Sequence, residues 1–256
     1  MGNSVVFITG ASKGIGLAVA TALLAQSHNV ASYARTVTPE LQALQDQYPQ
    51  HLLTISGDVT DPAASSAAVT QAYKHFGRLD SLVLNVGIPA MGSTADTPVE
   101  EWRSVFEINV FSMIPTLNAA LPLLRMVETG RILFTSSHTG VIPFPGLSAT
   151  SASKAAVNSL ARSIAVEEPN IITLAVHPGV VPTPGLATCI STAPPDVASV
   201  LRAGLDAPRG ATGPTAVNDA AFVGKRFAWL AVNAPKSVSG RFFCHDEDEI
   251  VHLTDA

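Results

Sequence analysis

Cysteine is nearly absent. Cys189 and Cys244 are the only two in 256 residues; they fit no metal-ligand spacing, and two are too few for a disulfide framework. Charge is sparse as well: charged residues make up 14% of the chain, the formal net charge is −5, and Lys and Arg are dispersed. Without a basic stripe to track a phosphate backbone, nucleic acid is not an expected partner. No uninterrupted apolar stretch approaches the roughly 20 residues that cross a bilayer, so no membrane partner is expected either. The opening MGNSVV has Val6 where a myristoylation signal has a hydroxyl residue. It also lacks the basic segment and apolar core of a secretory leader. These absences leave the expectation of a cytoplasmic protein that holds no metal.

What the chain does have is apolar residues, 47% of the total. A chain of this length suits one α/β domain and buries roughly 70–75% of the surface that its unfolded form exposes. Apolar runs at 4–9, 29–34, 51–56, 81–84, 130–135, 171–176 and 240–244 read as strands. Their near-continuous apolar character predicts strands covered on both faces, as in a parallel sheet. Helical patterns fall between them, at about 15–27, 38–47, 62–76, 98–124 and 148–168, each connection being long enough for a right-handed crossover. The alternation predicts a single doubly wound, Rossmann-type domain over residues 1–256, a mostly parallel sheet with helices on both faces. The one compositional break, about 182–216, is dense in Pro, Gly, Thr and Ala. Coming after a late strand, its part from 184 to 216 reads as a flap over the substrate.

The turn TGASKGIG, Thr9 to Gly16, directly follows the first apolar run. Gly10 permits a tight turn, while Gly14 and Gly16 remove side chains where backbone approaches a phosphate and where helix packs on strand. The helix that starts there aims free N–H groups and its positive dipole end at an anion. The second strand ends in Ala34-Arg35, where an acidic residue would bind a ribose 2′-hydroxyl. A neutral residue followed by a cation makes Arg35, with Lys13, a clamp for a 2′-phosphate, the alternative being two ordinary surface cations.

These residues, with others further along, resemble the short-chain dehydrogenase/reductase family over essentially the whole chain. The phosphate turn has that family's spacing, through Gly10, Ser12, Lys13, Gly14, Ile15 and Gly16. Asp58-Val59 is similar to its adenine-contacting pair, and Asn85-Val86-Gly87 to its NNAG segment, with Leu84 and Val86 as departures. Pro178, Gly179, Val181 and Thr183 resemble the PG-x-V-x-T segment that holds the nicotinamide amide. In flavour the chain is similar to the sepiapterin and benzil reductase branch. The resemblance implies a seven-stranded sheet, NADP(H) as cofactor given Arg35, a small hydrophobic carbonyl substrate, and a homodimer or homotetramer.

In that family a Ser, a Tyr and a Lys reduce or oxidise a carbonyl, and a helix Asn completes a proton path. Ser137, Lys154 and Asn109 match the serine, lysine and asparagine, and Lys154 also matches the family's cofactor-contacting lysine. The tyrosine should lie four residues before Lys154, on the same helix face, and thirteen after Ser137. Both counts land on Thr150. The three tyrosines, Tyr33, Tyr48 and Tyr73, all fall in the cofactor-binding half. A phenol next to an ammonium ionises near working pH, whereas an aliphatic hydroxyl does not. Three readings follow: a carbonyl reductase with a non-standard proton donor, a cofactor-binding scaffold or regulatory protein, and a non-redox isomerase or cyclase on the same fold.

Overall fold

The computed structural model describes residues 3–193 and 218–254, with a few isolated positions between 195 and 205. Seven strands form one sheet in the order β3-β2-β1-β4-β5-β6-β7. They are β1 (Val5–Thr9), β2 (Asn29–Ala34), β3 (Leu52–Ser56), β4 (Ser81–Leu84), β5 (Gly130–Thr135), β6 (Ile171–His177) and β7 (Arg241–Cys244). All six pairings are parallel. Every residue of β1, β4 and β6 is buried, as a sheet covered on both faces requires. The order reverses direction at β1 and β4, whose carboxyl ends open the crevice where open α/β sheets hold ligands.

Two apolar layers clamp the sheet. On one face, Leu23 of α1 (Gly14–Ala25), Leu41 of α2 (Pro39–Gln47) and Phe227 of a later helix (Ala220–Asn233) meet Val6, Ile8 and Leu174. On the other, Val69 of α3 (Pro62–Phe76), Leu117 of α5 (Met113–Leu124) and Val157 of α6 (Ser148–Glu167) meet Phe7, Leu82 and Phe134. The start of β1 is fixed by Asp80, which accepts from the Val5 N–H at 2.8 Å and is paired with Arg78.

The single helix expected over 98–124 is interrupted. It runs as α4 (Val99–Phe106), a π-helical turn (Glu107–Phe111) and α5. The widened turn buries Asn109 completely, and such bulges are frequent at functional sites. By length and composition the run Val99–Leu124 could cross a membrane, but Met113, Leu117, Ala120 and Leu124 line one face and belong to the core beneath. Part of the segment expected as a flap, 184–216, forms α7 (Pro184–Thr192); most of the remainder lies outside the described residues. The helices Ala220–Asn233 (α8) and Asp248–Thr254 (α9) extend the fold beyond the helical patterns read from sequence.

Candidate active site

A cleft of about 1200 Å³ opens along the carboxyl ends of β1, β2, β4 and β5. Its floor at one end is the turn between β1 and α1. Gly10 and Gly14 take φ of +71° and +58°, left-handed backbone that glycine adopts without strain. A Cβ at Gly16 would stand 2.4 Å from the Gly10 carbonyl oxygen and 2.8 Å from Asn85 Nδ2. Asn85 braces the turn from β4: its N–H donates to Thr9 Oγ1 at 2.9 Å, and its Nδ2 to the Thr9 carbonyl at 3.3 Å. Lys13, at the N-cap of α1, contributes no side-chain cap. The first turn of α1 thus lacks a side-chain cap where residues 12–15 line the cleft, an arrangement that fits a bound phosphate.

Ser12, Lys13, Ile15 and Arg35 line this end, and both cations are exposed. Asp58 and Val59 line its far wall. The N–H and hydroxyl of Thr60 bond Asp58 Oδ1 and hold the carboxyl below its ordinary pKa, with the charge of Arg35 adding to the effect. Tyr33 stands behind, buried, donating its phenol to the Asp58 carbonyl at 2.8 Å. It is a structural tyrosine, remote from the chemical end. Gly179 takes a φ of +73° and Val181 is buried, so the stretch from Pro178 stands behind the lining and carries Thr183 into it. Thr183 packs against the phosphate turn, its methyl 3.1 Å from where a Gly14 Cβ would be, and its hydroxyl caps α7.

At the other end of the cleft stand Thr150 and Lys154, one turn apart on α6. Lys154 is buried, and its Nζ donates to the Thr135 carbonyl at 2.8 Å. Burial lowers its pKa from 10.5 to about 8, because the charged form loses solvation. Asn109 reaches the same point from the π turn. A Cβ built on Gly87 would lie 3.2 Å from both Asn109 Oδ1 and Lys154 Nζ, so glycine is what lets the strand end, the π turn and α6 converge there.

Asn109 is fully committed. Its Oδ1 accepts from the Ile88 N–H at 2.7 Å, and its Nδ2 donates to the Ile88 carbonyl at 2.8 Å and to Ser153 Oγ at 2.9 Å. Ser153 passes its own proton to the Thr150 carbonyl at 2.7 Å. Thr150 Oγ1 exchanges both bonds with Ala90, accepting from its N–H at 2.8 Å and donating to its carbonyl at 3.2 Å. Ser137 begins the short turn His138–Gly140, and its Oγ accepts from the N–H and hydroxyl of Thr139 at 3.3 and 3.0 Å. Its neighbour Ser136 lines the cleft and donates to Asn158 Oδ1 at 2.6 Å.

Sequence reasoning did not single out Thr135, Ser153 or Ala90. Ser153 had a signal, being one turn from Thr150 and adjacent to Lys154. Ala90 had none, since its partner lies 60 residues away. No group of three His, Cys, Asp or Glu able to hold a metal occurs among the described residues.

Phosphate turn, helix asparagine and buried lysine, set along one cleft of a doubly wound sheet, define a nicotinamide-type oxidoreductase scaffold. The chain belongs to the short-chain dehydrogenase family, whose sequence model, described as short chain dehydrogenase, matches residues 4–193; it is an oxidoreductase of that family. An uncharacterized oxidoreductase of Schizosaccharomyces pombe is 43% identical over 172 residues, 67% of this chain and 68% of that protein. The benzil reductase ((S)-benzoin forming) of Saccharomyces cerevisiae is 35% identical over 177 residues, 66% of this chain and 67% of that protein. Among solved structures, a short chain dehydrogenase from Burkholderia cenocepacia in complex with NADP superposes with a TM-score of 0.78 at 28% identity. The match covers 94% of this chain and 95% of that one.

Proposed function

We propose that this protein is an NADPH-dependent reductase of small hydrophobic ketones or diketones, acting as a homodimer or homotetramer in the cytoplasm, without nucleic acid or membrane as partner. The observation that carries the reading is the retention of an uncapped phosphate turn at one end of a cleft and, at the other, of Lys154 in its lining with Asn109 converging on the same point beside Gly87. A scaffold that merely binds a nucleotide has no use for the second group. Lys13 and Arg35, with Ala34 where an acid would stand, favour the 2′-phosphate of NADP(H) over a bare ribose hydroxyl. The solved relative in complex with NADP supports that cofactor, and the benzil reductase supports a diketone substrate.

When bound, NADPH supplies the hydride. The chain's own residues do the rest. The first-turn N–H groups of α1, with Lys13 and Arg35, would hold the cofactor's phosphates, each charge-assisted contact contributing roughly 1.5–3 kcal/mol. Asp58 and Val59, in the cleft wall, would hold the adenine, and Thr183 stands beside the phosphate turn. Ile88, Pro89, Met91 and Leu186 line the cleft and suit an apolar carbonyl compound while excluding water from it. Ser137 stands next to Ser136 of the cleft but not in its lining, and accepts two hydrogen bonds from Thr139; its hydroxyl is the proposed donor to a carbonyl oxygen. Asn109 fixes the strand end at Ile88 and the start of α6 through Ser153.

A second reading is favoured by one observation, the pair of bonds between Thr150 and Ala90. A cofactor-binding protein that had left catalysis would have repacked in this way. Titration calorimetry and steady-state reduction of an aromatic diketone separate the two. The reductase reading expects turnover with NADPH and binding of NADPH at least about tenfold tighter than NADH. Arg35→Ala should weaken NADPH far more than NADH. Equal affinities would refute the cofactor assignment, and binding without turnover would favour the second reading.

A further inference from the structure

We infer that Lys154 itself delivers the proton to the carbonyl oxygen, and that Thr150 is a positioning residue for the loop after β4. The inference rests on the reductase reading above and names the acid that this reading leaves open.

The hydroxyl at 150 cannot serve. Its single proton is directed at the Ala90 carbonyl, its oxygen takes the Ala90 N–H, and Ala90 is 2% exposed. Nearby contacts extend this staple. Gly92 N–H donates to the Gly146 carbonyl at 2.9 Å, and Thr94 Oγ1 to Ser148 Oγ at 2.7 Å. Residues 90–94 are thereby bound to the turn that opens α6, and Thr150 is the buried member of that set. An aliphatic hydroxyl engaged in this way positions backbone; it does not ionise in the working range.

Asn109 spends both amide protons on Ile88 and Ser153, and an amide is no acid. Tyr33 is the phenol nearest the cofactor end and is buried behind Asp58. The thiol of Cys189, on α7, is pushed up by burial. The cleft's other ionised groups, Lys13, Arg35, Asp58 and Glu101, line it together with Lys154, but none contributes to the lowering of Lys154, which burial alone causes. Among the described residues the ammonium's hydrogen-bond partner is the neutral Thr135 carbonyl of β5, and Gly87 after β4 and the neutral Asn109 of the π turn converge on the same point.

Lys154 has the geometry of a donor. An ammonium carries three N–H groups; among the described residues one is held by Thr135, and the cleft reaches the side chain. A pKa near 8 places the group close to working pH, where general acids are most effective. In the step, the carbonyl carbon gains a hydride from the reduced nicotinamide, which is oxidised. The C=O π pair takes a proton from Lys154 Nζ to give the alcohol, and the N–H bond pair remains on a neutral amine. The amine then recovers a proton from solvent through the open cleft.

The test pairs two readouts on the full chain. The protein, labelled with ¹³C at lysine Cε, is titrated by NMR without cofactor, the Lys154 signal being assigned by its loss in Lys154→Arg. In parallel, kcat/KM for NADPH-dependent reduction of benzil is followed from pH 6 to 10, since it reports ionisations of the free protein. The expected result is a Lys154 midpoint near 8 and a rate that falls about tenfold per pH unit above that midpoint. Thr150→Val should keep the same midpoint. A lysine titrating in its ordinary range, a rate flat across 7–10, or a midpoint displaced in Thr150→Val would each overturn the inference while leaving the reductase reading intact. So would a substrate adduct on Lys154 trapped by borohydride, which would make the lysine a nucleophile. Bound NADPH with no turnover at any pH would overturn the reductase reading and this inference together.

Discussion

At the phosphate end of the cleft the constraints fall on the backbone: glycines at positive φ, a helix without a side-chain cap, and a Gly16 with no room for a methyl group. At the chemical end they fall on side chains: Asn109 bonds Ser153, Ser153 bonds the Thr150 carbonyl and Thr150 bonds Ala90, while Lys154 is held separately by the Thr135 carbonyl. A backbone constraint of this kind admits glycine alone, and the chain has glycine at positions 10, 14 and 16. A side-chain network admits substitution where a new partner can be found, and Thr150 has found one in Ala90. The hydroxyl at position 150 therefore sits where side-chain packing tolerates substitution.

The sharpest way to break this comparison is to put a side chain at Gly16. Its Cβ would meet the Gly10 backbone at 2.4 Å and cannot be relieved by a rotamer. Gly16→Ala should weaken NADPH by at least about 100-fold through displacement of α1 from the turn, read by calorimetry. Unchanged affinity would mean that the phosphate end is less constrained than its packing shows.

A smaller effect is expected at the chemical end. Thr150→Val keeps the shape and removes the hydroxyl, leaving a buried N–H and C=O of Ala90 without that partner. The expected cost is about 1–3 kcal/mol of stability, seen as a lower Tm, with NADPH affinity retained. A melting temperature equal to that of the parent would show that the staple holds nothing.

How much of this was legible beforehand follows the same division. All seven strands lie within a residue of their sequence assignments, because apolar runs bounded by turns are local signals. The glycine turn, Asp58, Asn109 and Lys154 were legible for the same reason: each belongs to a short motif of fixed spacing. The interruption at 107–111 was not, since a π turn is decided by how α4 and α5 pack around Asn109. Helix α7 was read as loop, although Thr183 followed by Pro184 is an N-cap followed by a first-turn proline; the Pro and Gly content of the wider segment masked it. The Thr150–Ala90 exchange joins residues 60 apart and leaves no trace in periodicity. Whether Thr150 had been accommodated was a tertiary fact.

The central claim is that the chemical end is still built for carbonyl reduction despite Thr150. Replacing Thr150 with Tyr tests it most directly, by steady-state NADPH-dependent reduction of a diketone beside thermal melts of both forms. The account predicts a rise in turnover of at least about tenfold, a pH profile moved away from that of Lys154, little change in NADPH affinity, and a modestly lower Tm as Ala90 loses its threonine partner. Unchanged turnover would contradict it, and NADPH binding with no turnover in either form would assign the chain to the cofactor-binding reading.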